Sequence, residues 1–263
     1  MRSGVLRAYP ALLRVGFASA LAYRAELLIW MLTTTMPLVS LSIWSAVARE
    51  APVGRYGAPE LLGYFLAALV VRQVTGSWLV WAMNTEIRQG ALSQRLLKPI
   101  HPLYSYSADN LAAIPLRAML CLPVVVYALI YANFTHDLRL VLLFFVSLFG
   151  AWLINFSFMA AIGSLAFFLE SSTGIFEIWL MTFMLLSGYV VPLELFPGWA
   201  RAVAEVLPFR YTLGFPVEII LGALSLHDAL VGLAVQWAYA LGGLGLAITM
   251  FRLGVRRFGA YGG

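Results

Sequence analysis

Three charged side chains lie within long apolar segments, where they could act on a molecule that crosses a membrane. Arg72 and Arg117 lie well inside such segments, and Glu177 lies near the end of another. An arginine at the centre of a bilayer costs about 2.5–3.5 kcal/mol on insertion scales, so its guanidinium should face protein or water. The two arginines either line a translocation path or subunit interface, or hold helices together by pairing with carbonyls or with carboxylates such as Glu177. We favour the second, structural interpretation.

Residues for other kinds of chemistry are sparse. The single lysine, Lys98, is followed by Pro99, so the Gly-Lys-Ser/Thr loop that binds nucleotide phosphates is missing. His101, His136 and His227 fall in three different loops without a cluster of cysteines or carboxylates, and this pattern predicts no metal site. The sequence therefore predicts a chain that is not itself an enzyme and that binds no cofactor of its own.

The composition is that of a membrane protein. Of the 263 residues 62% are hydrophobic and 11% are charged, whereas soluble domains carry about 25% charged residues. The basic residues stand singly at the ends of apolar runs, so the net charge of +5 does not indicate a nucleic-acid partner. We predict an all-α integral membrane protein with residues 1–263 as a single domain. Its six expected membrane spans are 26–48, 60–83, 110–132, 138–169, 175–191 and 229–250.

The placement of Lys and Arg predicts which side of the membrane each segment faces. Most of them lie in the N-terminal segment, after the second span and in the C-terminal tail. Because cytoplasmic loops are enriched in these residues, both termini and residues 84–106 are expected in the cytoplasm. Residues 1–25 are predicted to form an amphipathic helix on that surface, with Arg14 and Arg24 available to anionic headgroups. The alternative for this segment is an extension of the first span.

Residues 187–214, between the last two spans, are expected on the outer side. The preceding apolar span stops at Pro192, and Pro208 stops a short amphipathic stretch at 199–207. That stretch is too short to cross a bilayer, which takes about 20 helical residues. Irregular backbone near lipid persists only where it packs against protein or lines a wet cavity. We therefore expect a re-entrant segment here.

Residues 84–106 form the second informative segment. Gly90 is suited to cap the helix that emerges from the membrane. Residues 91–98 are long enough for one or two helical turns, with Leu92 and Leu96 on one face, and Pro99 and Pro102 follow. Such a helix suits the groove of a partner protein. It also suits an ordinary interfacial turn with its leucines in lipid, and composition alone does not choose between the two.

Together these segments resemble the six-span permease subunits of type-2 ABC transporters, in particular a branch of poorly characterised bacterial permeases. The resemblance covers nearly the whole chain in layout. Its most specific parts are GALSQRLLKPIHPLYSY at 90–106 and SGYVVPLELFPGWARAVAEVLPFRYTLGFPVEIILG at 187–222.

The resemblance implies roles for both segments. Residues 84–106 would contain the coupling helix that docks on a cytoplasmic ATPase, through Glu86, Gly90, Leu92, Arg95, Leu96, Leu97 and Pro99. Residues 187–214 would form the re-entrant gate, with Gly188, Pro192, Pro197, Trp199, Pro208 and Arg210. The expected partners are two ATPase subunits, which bind ATP and Mg²⁺, and a second permease that is identical or related.

The function expected from this resemblance is ATP-driven export of a hydrophobic or amphipathic substrate across the bacterial cytoplasmic (inner) membrane. The alternatives are a gradient-driven carrier and a membrane scaffold without transport activity. A gradient-driven carrier commonly has repeated halves. We find no internal repeat, and the acids lie mostly at the ends of spans. Export rather than import rests on the resemblance alone.

Overall fold

The computed structural model describes residues 2–54 and 56–258, and of residues 2–7 it describes the backbone only. The limits of the predicted domain at 1 and 263 therefore fall outside the described residues. Within the described ranges the chain is helical and forms no strand, apart from an isolated bridge between Val53 and Tyr56. The predicted all-α class is confirmed for this part of the chain.

Fourteen α-helices follow one another along the described residues. In order they are α1 (Arg2–Ala22), α2 (Arg24–Thr33), α3 (Met36–Glu50), α4 (Ala58–Thr75), α5 (Leu79–Arg88), α6 (Leu92–Leu96), α7 (Pro102–Ala112), α8 (Ile114–Tyr131), α9 (Leu138–Ser164), α10 (Thr173–Leu186), α11 (Gly198–Val206), α12 (Pro208–Thr212), α13 (Gly214–Ile220) and α14 (Leu226–Val255). Short 3-10 turns at Leu165–Phe167 and Leu193–Leu195 follow α9 and precede α11.

Within the described chain, five stretches are long and apolar enough to cross a membrane. They match five of the six predicted spans and are Arg24–Glu50, Ala58–Arg88, Pro102–Tyr131, Leu138–Phe167 and Leu226–Val255. The remaining predicted span, 175–191, corresponds to α10, which has only 14 residues. Since a perpendicular crossing takes about 20 helical residues, the count of six spans stays a prediction.

The first two spans are interrupted where the sequence predicted continuous helices. The first is divided into α2 and α3 at residues 34–35, just before Pro37. The second is divided into α4 and α5 at residues 76–78, where Gly76 has φ −64° and ψ 139°. A break inside a span releases backbone N–H and C=O groups that lipid cannot satisfy. The protein must therefore supply hydrogen-bond partners at both breaks.

Helix α9 is the centre of the bundle. It packs along α14 and also contacts α4, α5, α12 and α13. Glycines lie at its contact with α14: Gly150 faces the side chain of Gln236, and Gly243 faces Ser157 and Phe158. Small residues let two helix backbones approach closely, which is a common way to join helices in lipid.

The two segments singled out in the sequence lie at opposite ends of α9 and α14. Leu92 of α6 packs in one core cluster with Phe251, near the C-terminal end of α14. Ile219 of α13 packs in another with Leu140 and Ala229, at the N-terminal ends of α9 and α14. The sequence-based prediction that these two segments face different sides of a membrane is consistent with this placement.

Helix α1 corresponds to the predicted interfacial helix, and it packs on α7. Gly16 is the buried residue among residues 8–22 of α1, and a Cβ there would lie 2.9 Å from that of Ala112. The hydroxyls of Tyr9 and Ser107 are 3.0 Å apart. Phe17 of this helix is exposed.

Gly188 offers a test of the fold, because it has a positive φ of 86° and a Cβ there would collide with the Tyr64 hydroxyl. Gly188→Ala is therefore expected to lower the free energy of unfolding by about 1–3 kcal/mol, through strain and loss of the Tyr64 hydrogen bond. Thermal unfolding in detergent, followed by tryptophan fluorescence, measures this. Gly174→Ala is the matched control, since nothing lies within 4 Å of a Cβ at Gly174. Equal melting temperatures for the two variants would contradict the assigned backbone conformation.

Candidate functional site

The break in the second span is held together by donors from neighbouring helices. The Arg117 guanidinium donates to the Gly76 carbonyl at 2.9 Å, and the Asn155 amide donates to the Thr75 carbonyl at 3.3 Å. The Asn110 amide donates to the hydroxyl of Ser77 at 3.1 Å. The bonds to the Gly76 and Thr75 carbonyls replace helical partners that the backbone loses between α4 and α5. Arg117 thus pairs with a carbonyl, as the structural interpretation of the sequence expected.

The break in the first span is tied to the same region by Gln73 and Tyr189. The Gln73 amide donates to the Met31 carbonyl at 3.0 Å and to the Thr34 hydroxyl at 2.9 Å. The Tyr189 hydroxyl donates to the Thr34 carbonyl at 2.8 Å. Tyr189 lies in the non-helical stretch after α10, and Gln73 lies close to the end of α4. The interruptions at 34–35, 76–78 and 187–191 therefore lie in one region.

Protein groups also satisfy three carbonyls in residues 187–191, the stretch after α10. The Tyr64 hydroxyl donates to the Gly188 carbonyl at 2.8 Å, and the indole of Trp44 donates to the Val190 carbonyl at 3.1 Å. The backbone N–H of Gly214 donates to the Ser187 carbonyl at 3.0 Å. Irregular backbone at membrane depth is stable under these conditions.

Arg72 lies beside this junction and is held mainly by aromatic rings. Its guanidinium lies 4.7 Å from the ring centroid of Phe183 and 5.7 Å from that of Trp78, and it also interacts with the Tyr189 hydroxyl. Cation–π contacts of this kind stabilise a desolvated cation without neutralising its charge. In the described part of the chain, Arg72 makes no ion pair.

A cavity of about 770 Å³ opens beside the two arginines. Its inner end is lined by Arg72, Gln73, Gly76, Trp78 and Arg117. Residues of α1 and α2 form one wall of the cavity. The end of the cavity nearest α6, which we call its outer end, is lined by polar residues of α5 to α7, namely Glu86, Gln94, Arg95, Lys98 and Asp109. The cavity therefore connects two groups of site residues that the sequence treated separately.

At the outer end Glu86 and Arg95 form a bidentate ion pair. Arg95 donates from Nε at 2.8 Å and from Nη2 at 2.9 Å, and the Tyr106 hydroxyl donates to the same carboxylate at 2.6 Å. Arg95 also reaches Asp109 at 3.1 Å. Burial alone would lower the pKa of Arg95, but the hydrogen bonds and the charge of Glu86 raise it above its usual value. These contacts hold the segment that follows α5 against α7.

The predicted short helix is present as α6, and its leucines differ in exposure. Gly90 has a positive φ of 74° directly after α5, as its predicted capping role requires. Leu92 is fully buried and Leu96 is half-buried, whereas Leu97 is 86% exposed. Pro99 is exposed after the helix. Of the three leucines, Leu97 has the side chain most available to a partner.

His101 connects this segment to α7. Its Nδ1 accepts the backbone N–H of Leu103 at 3.3 Å, which caps the first turn of the helix. Burial and then the charge of Arg252 lower the pKa of His101, so the ring is neutral at pH 7 and its Nδ1 is free to accept. The sequence placed His101 in a loop without assigning it a role.

In the predicted gate, the residues fall into a buried and an exposed group. Gly188 and Pro192 are buried, whereas Pro197 and Trp199 are exposed. Half-buried Pro208 begins α12. The guanidinium of Arg210 forms an ion pair with the carboxylate of Glu218, with an N–O distance of 2.6 Å.

Residues 208–220 hold a finding that the sequence did not suggest. The chain forms α12 and α13 there, and both helices are largely buried. Gln236 of α14 holds α12 by donating to the Tyr211 carbonyl at 2.7 Å.

Glu177 does not join the other intramembrane charges. It lies exposed on α10, and no ion pair links it to Arg72 or Arg117 in residues 2–54 and 56–258. Sequence reasoning also missed Gln73 and Tyr189, which tie the helix interruptions together. Gln73 carried a signal, since an amide beside an intramembrane arginine is unusual in an apolar run, but nothing marked Tyr189.

A family model described as "ABC-2 family transporter protein" matches residues 34–262. The matched region includes the interruptions at 34–35 and 76–78, the inner end of the cavity, α6 and residues 187–214. No curated protein matches the chain.

Glu86→Gln tests the link at the outer end of the cavity. An amide cannot accept the same set of donors, so the ion pair is lost and the free energy of unfolding should fall by about 1–3 kcal/mol. We expect faster hydrogen exchange in residues 91–101, measured by mass spectrometry. The matched control is Glu205→Gln, because Glu205 pairs with Arg201 on the surface and should contribute less than about 0.5 kcal/mol. An exchange rate at 91–101 that is unchanged would show that this ion pair does not hold the segment.

Proposed function

Because the chain belongs to the ABC-2 transporter family and is a type-2 ABC transporter permease, we propose that it forms the path through which a separate ATPase drives export of a hydrophobic or amphipathic molecule. The observation that carries this proposal is the shared cavity. One continuous space is lined both by the segment expected to meet the ATPase and by the interrupted spans with Arg72 and Arg117. A movement of that segment would therefore reshape the cavity directly.

The proposed docking element is α6 with the residues around it. Leu97 would enter a groove of the ATPase, and Leu92 and Leu96 would attach α6 to the permease core. The Glu86/Arg95 ion pair and Gly90 would keep α6 at a constant angle to α5, with Pro99 ending the docking segment. Two ATPase subunits would bind ATP and Mg²⁺, so that hydrolysis in the partner pushes α6 and moves the wall of the cavity.

The proposed membrane arrangement has six spans, with α10 as the shortest. Both termini and α6 would face the cytoplasm of a bacterial cell, and residues 187–214 would form a re-entrant gate at the outer side of its cytoplasmic membrane. The hydrogen bonds to Ser187, Gly188 and Val190 support this role, because they hold non-helical backbone inside the protein. Pro192, Pro197, Trp199, Pro208 and Arg210 would position α11 and α12 against that stretch.

The exposed surface of the long helices supports assembly with a second permease, identical or related. Helices α2 and α8 expose large apolar residues, among them Ile29 and Ile130 at 62% and 66%. In a bilayer such a surface contacts either lipid or another helix. Pairing two chains would enclose a larger path between them, as transport of a bulky molecule requires.

Leu97→Asp tests the docking proposal. A charge at this exposed position should weaken association with the ATPase by about 30-fold or more, the loss typical of a central interface residue. Co-purification in mild detergent and titration of the purified ATPase measure the loss. Because Leu97 is 86% exposed, the melting temperature of the permease should stay unchanged.

Leu138→Asp is the matched control for this test. Leu138 is 68% exposed, and it begins α9 at the opposite end of the bundle, where an acid is tolerated. The Leu138→Asp permease should bind the ATPase as tightly as the unchanged chain does. Leu92→Asp would not be informative, since Leu92 is fully buried and the variant should misfold. A Leu97→Asp permease that binds the ATPase normally would refute α6 as the docking element.

A further inference from the structure

The inner end of the cavity carries an uncompensated positive charge. Arg72 and Arg117 both line it. In the described residues neither guanidinium makes an ion pair. Two like charges at this depth are costly unless water or an anion faces them. Arg117 donates one N–H group to the Gly76 carbonyl, so its remaining N–H groups are available to a ligand.

In the described residues, the carboxylates that line the same cavity form no ion pair with Arg72 or Arg117. Glu86 and Asp109 are occupied by Arg95 at the outer end. Glu26 also lines the cavity but is exposed on α2, where, among the described residues, it accepts one long hydrogen bond, 3.4 Å, from the indole of Trp30. Both arginines keep part of their surface open, and this surface borders the cavity. The charge distribution therefore favours an anion at the inner end.

The wall formed by α1 and α2 is mostly apolar and thin. Val15 is 67% exposed and Trp30 is 44% exposed, and both line the cavity. None of the ten residues of α2 is buried, so only this helix separates part of the cavity from the surroundings. Trp30 and Trp78 lie 5.3 Å apart between that wall and the inner end. An apolar chain would find contacts along this wall.

We propose that this cavity binds an anionic amphiphile, with an oxyanion headgroup between Arg72 and Arg117 and an apolar tail along α1 and α2. Guanidinium groups bind phosphate and carboxylate in a matched, forked geometry. The volume of about 770 Å³ is in the range of sites for drug-sized ligands, and a free phosphate would leave most of it empty. Binding needs only this chain, and the further assignment of the amphiphile as cargo rests on the proposed transport function.

The primary experiment compares lipids that differ only in headgroup charge. Native mass spectrometry of the full chain in detergent is used to titrate phosphatidylglycerol and phosphatidylcholine with identical acyl chains, and glycerol 3-phosphate as the headgroup alone. We expect phosphatidylglycerol to bind about tenfold more tightly than the zwitterionic lipid, as for a ligand held by charge-assisted hydrogen bonds. Glycerol 3-phosphate should bind far more weakly. Equal binding of the two lipids overturns the proposal, and tight binding of the headgroup alone overturns the role of the tail.

The variants test whether the two arginines cause this preference. Arg72→Gln and Arg117→Gln should each reduce the preference to about twofold or less, whereas Arg117→Lys should keep most of it because the charge and a donor remain. Arg139→Gln is the matched control, since Arg139 is exposed at the opposite end of the bundle. If the glutamine variants lose thermal stability but keep the preference, the arginines are only structural and the proposal fails.

The location is tested without any variant. A photoreactive phosphatidylglycerol with its label beside the headgroup should modify the unchanged chain near Trp30, Gly76 or Trp78. Labelling confined to the outer surface of the bundle would overturn the site.

Reconstitution with the ATPase separates this inference from the proposed function. Stimulation of ATP hydrolysis by phosphatidylglycerol in the unchanged complex, and not in the Arg72→Gln complex, supports cargo. Binding without stimulation keeps the site and overturns its assignment as cargo. Failure of any ATPase to associate overturns the proposed function, while the lipid preference of the isolated chain still supports the site.

Discussion

The arrangement of this protein depends on one constraint, which is that backbone groups released by a break in a membrane-depth helix must find partners within the protein. Three interruptions meet in one region, at residues 34–35, 76–78 and 187–191. Side chains from other parts of the chain satisfy carbonyls there, chiefly Arg117, Gln73, Tyr189 and Tyr64. An unsatisfied carbonyl in hydrocarbon costs several kcal/mol. These hydrogen bonds therefore fix the positions of the interrupted helices more firmly than apolar contacts alone would.

The same constraint explains why a cavity lies beside these breaks. A helix that stops and restarts leaves space next to the interruption, and polar donors aimed at its carbonyls keep part of that space hydrophilic. Arg117 belongs to both features, because it bonds the Gly76 carbonyl and also lines the cavity. The two interpretations that the sequence left open for it, a structural partner and part of a path, are therefore compatible. Arg72 differs, because aromatic rings hold it and leave its charge unpaired.

Much of the fold could be predicted from the sequence, because long apolar runs and prolines have strong local preferences. The runs at 138–169 and 229–250 became α9 and α14, and α11 formed where the amphipathic stretch was expected. The interruption at Gly76 was not predicted, since Thr, Gly and Ser are all tolerated within membrane helices and only the donors on α8 and α9 make a break stable. The burial of Leu92 was missed for a related reason, since a heptad-like spacing does not say which face a core will cover.

What the sequence by itself determined was the helical class, five of the apolar spans, and the two segments that carry the family resemblance. These properties depend on composition and on neighbours a few residues away. The tertiary structure decided which charges meet: it joined Glu86 to Arg95, placed Arg72 and Arg117 on one cavity, and left Glu177 apart on α10. The physical reason is that a charge in an apolar span must find partners on other helices, and helix packing, rather than spacing along the chain, sets which partners come within reach.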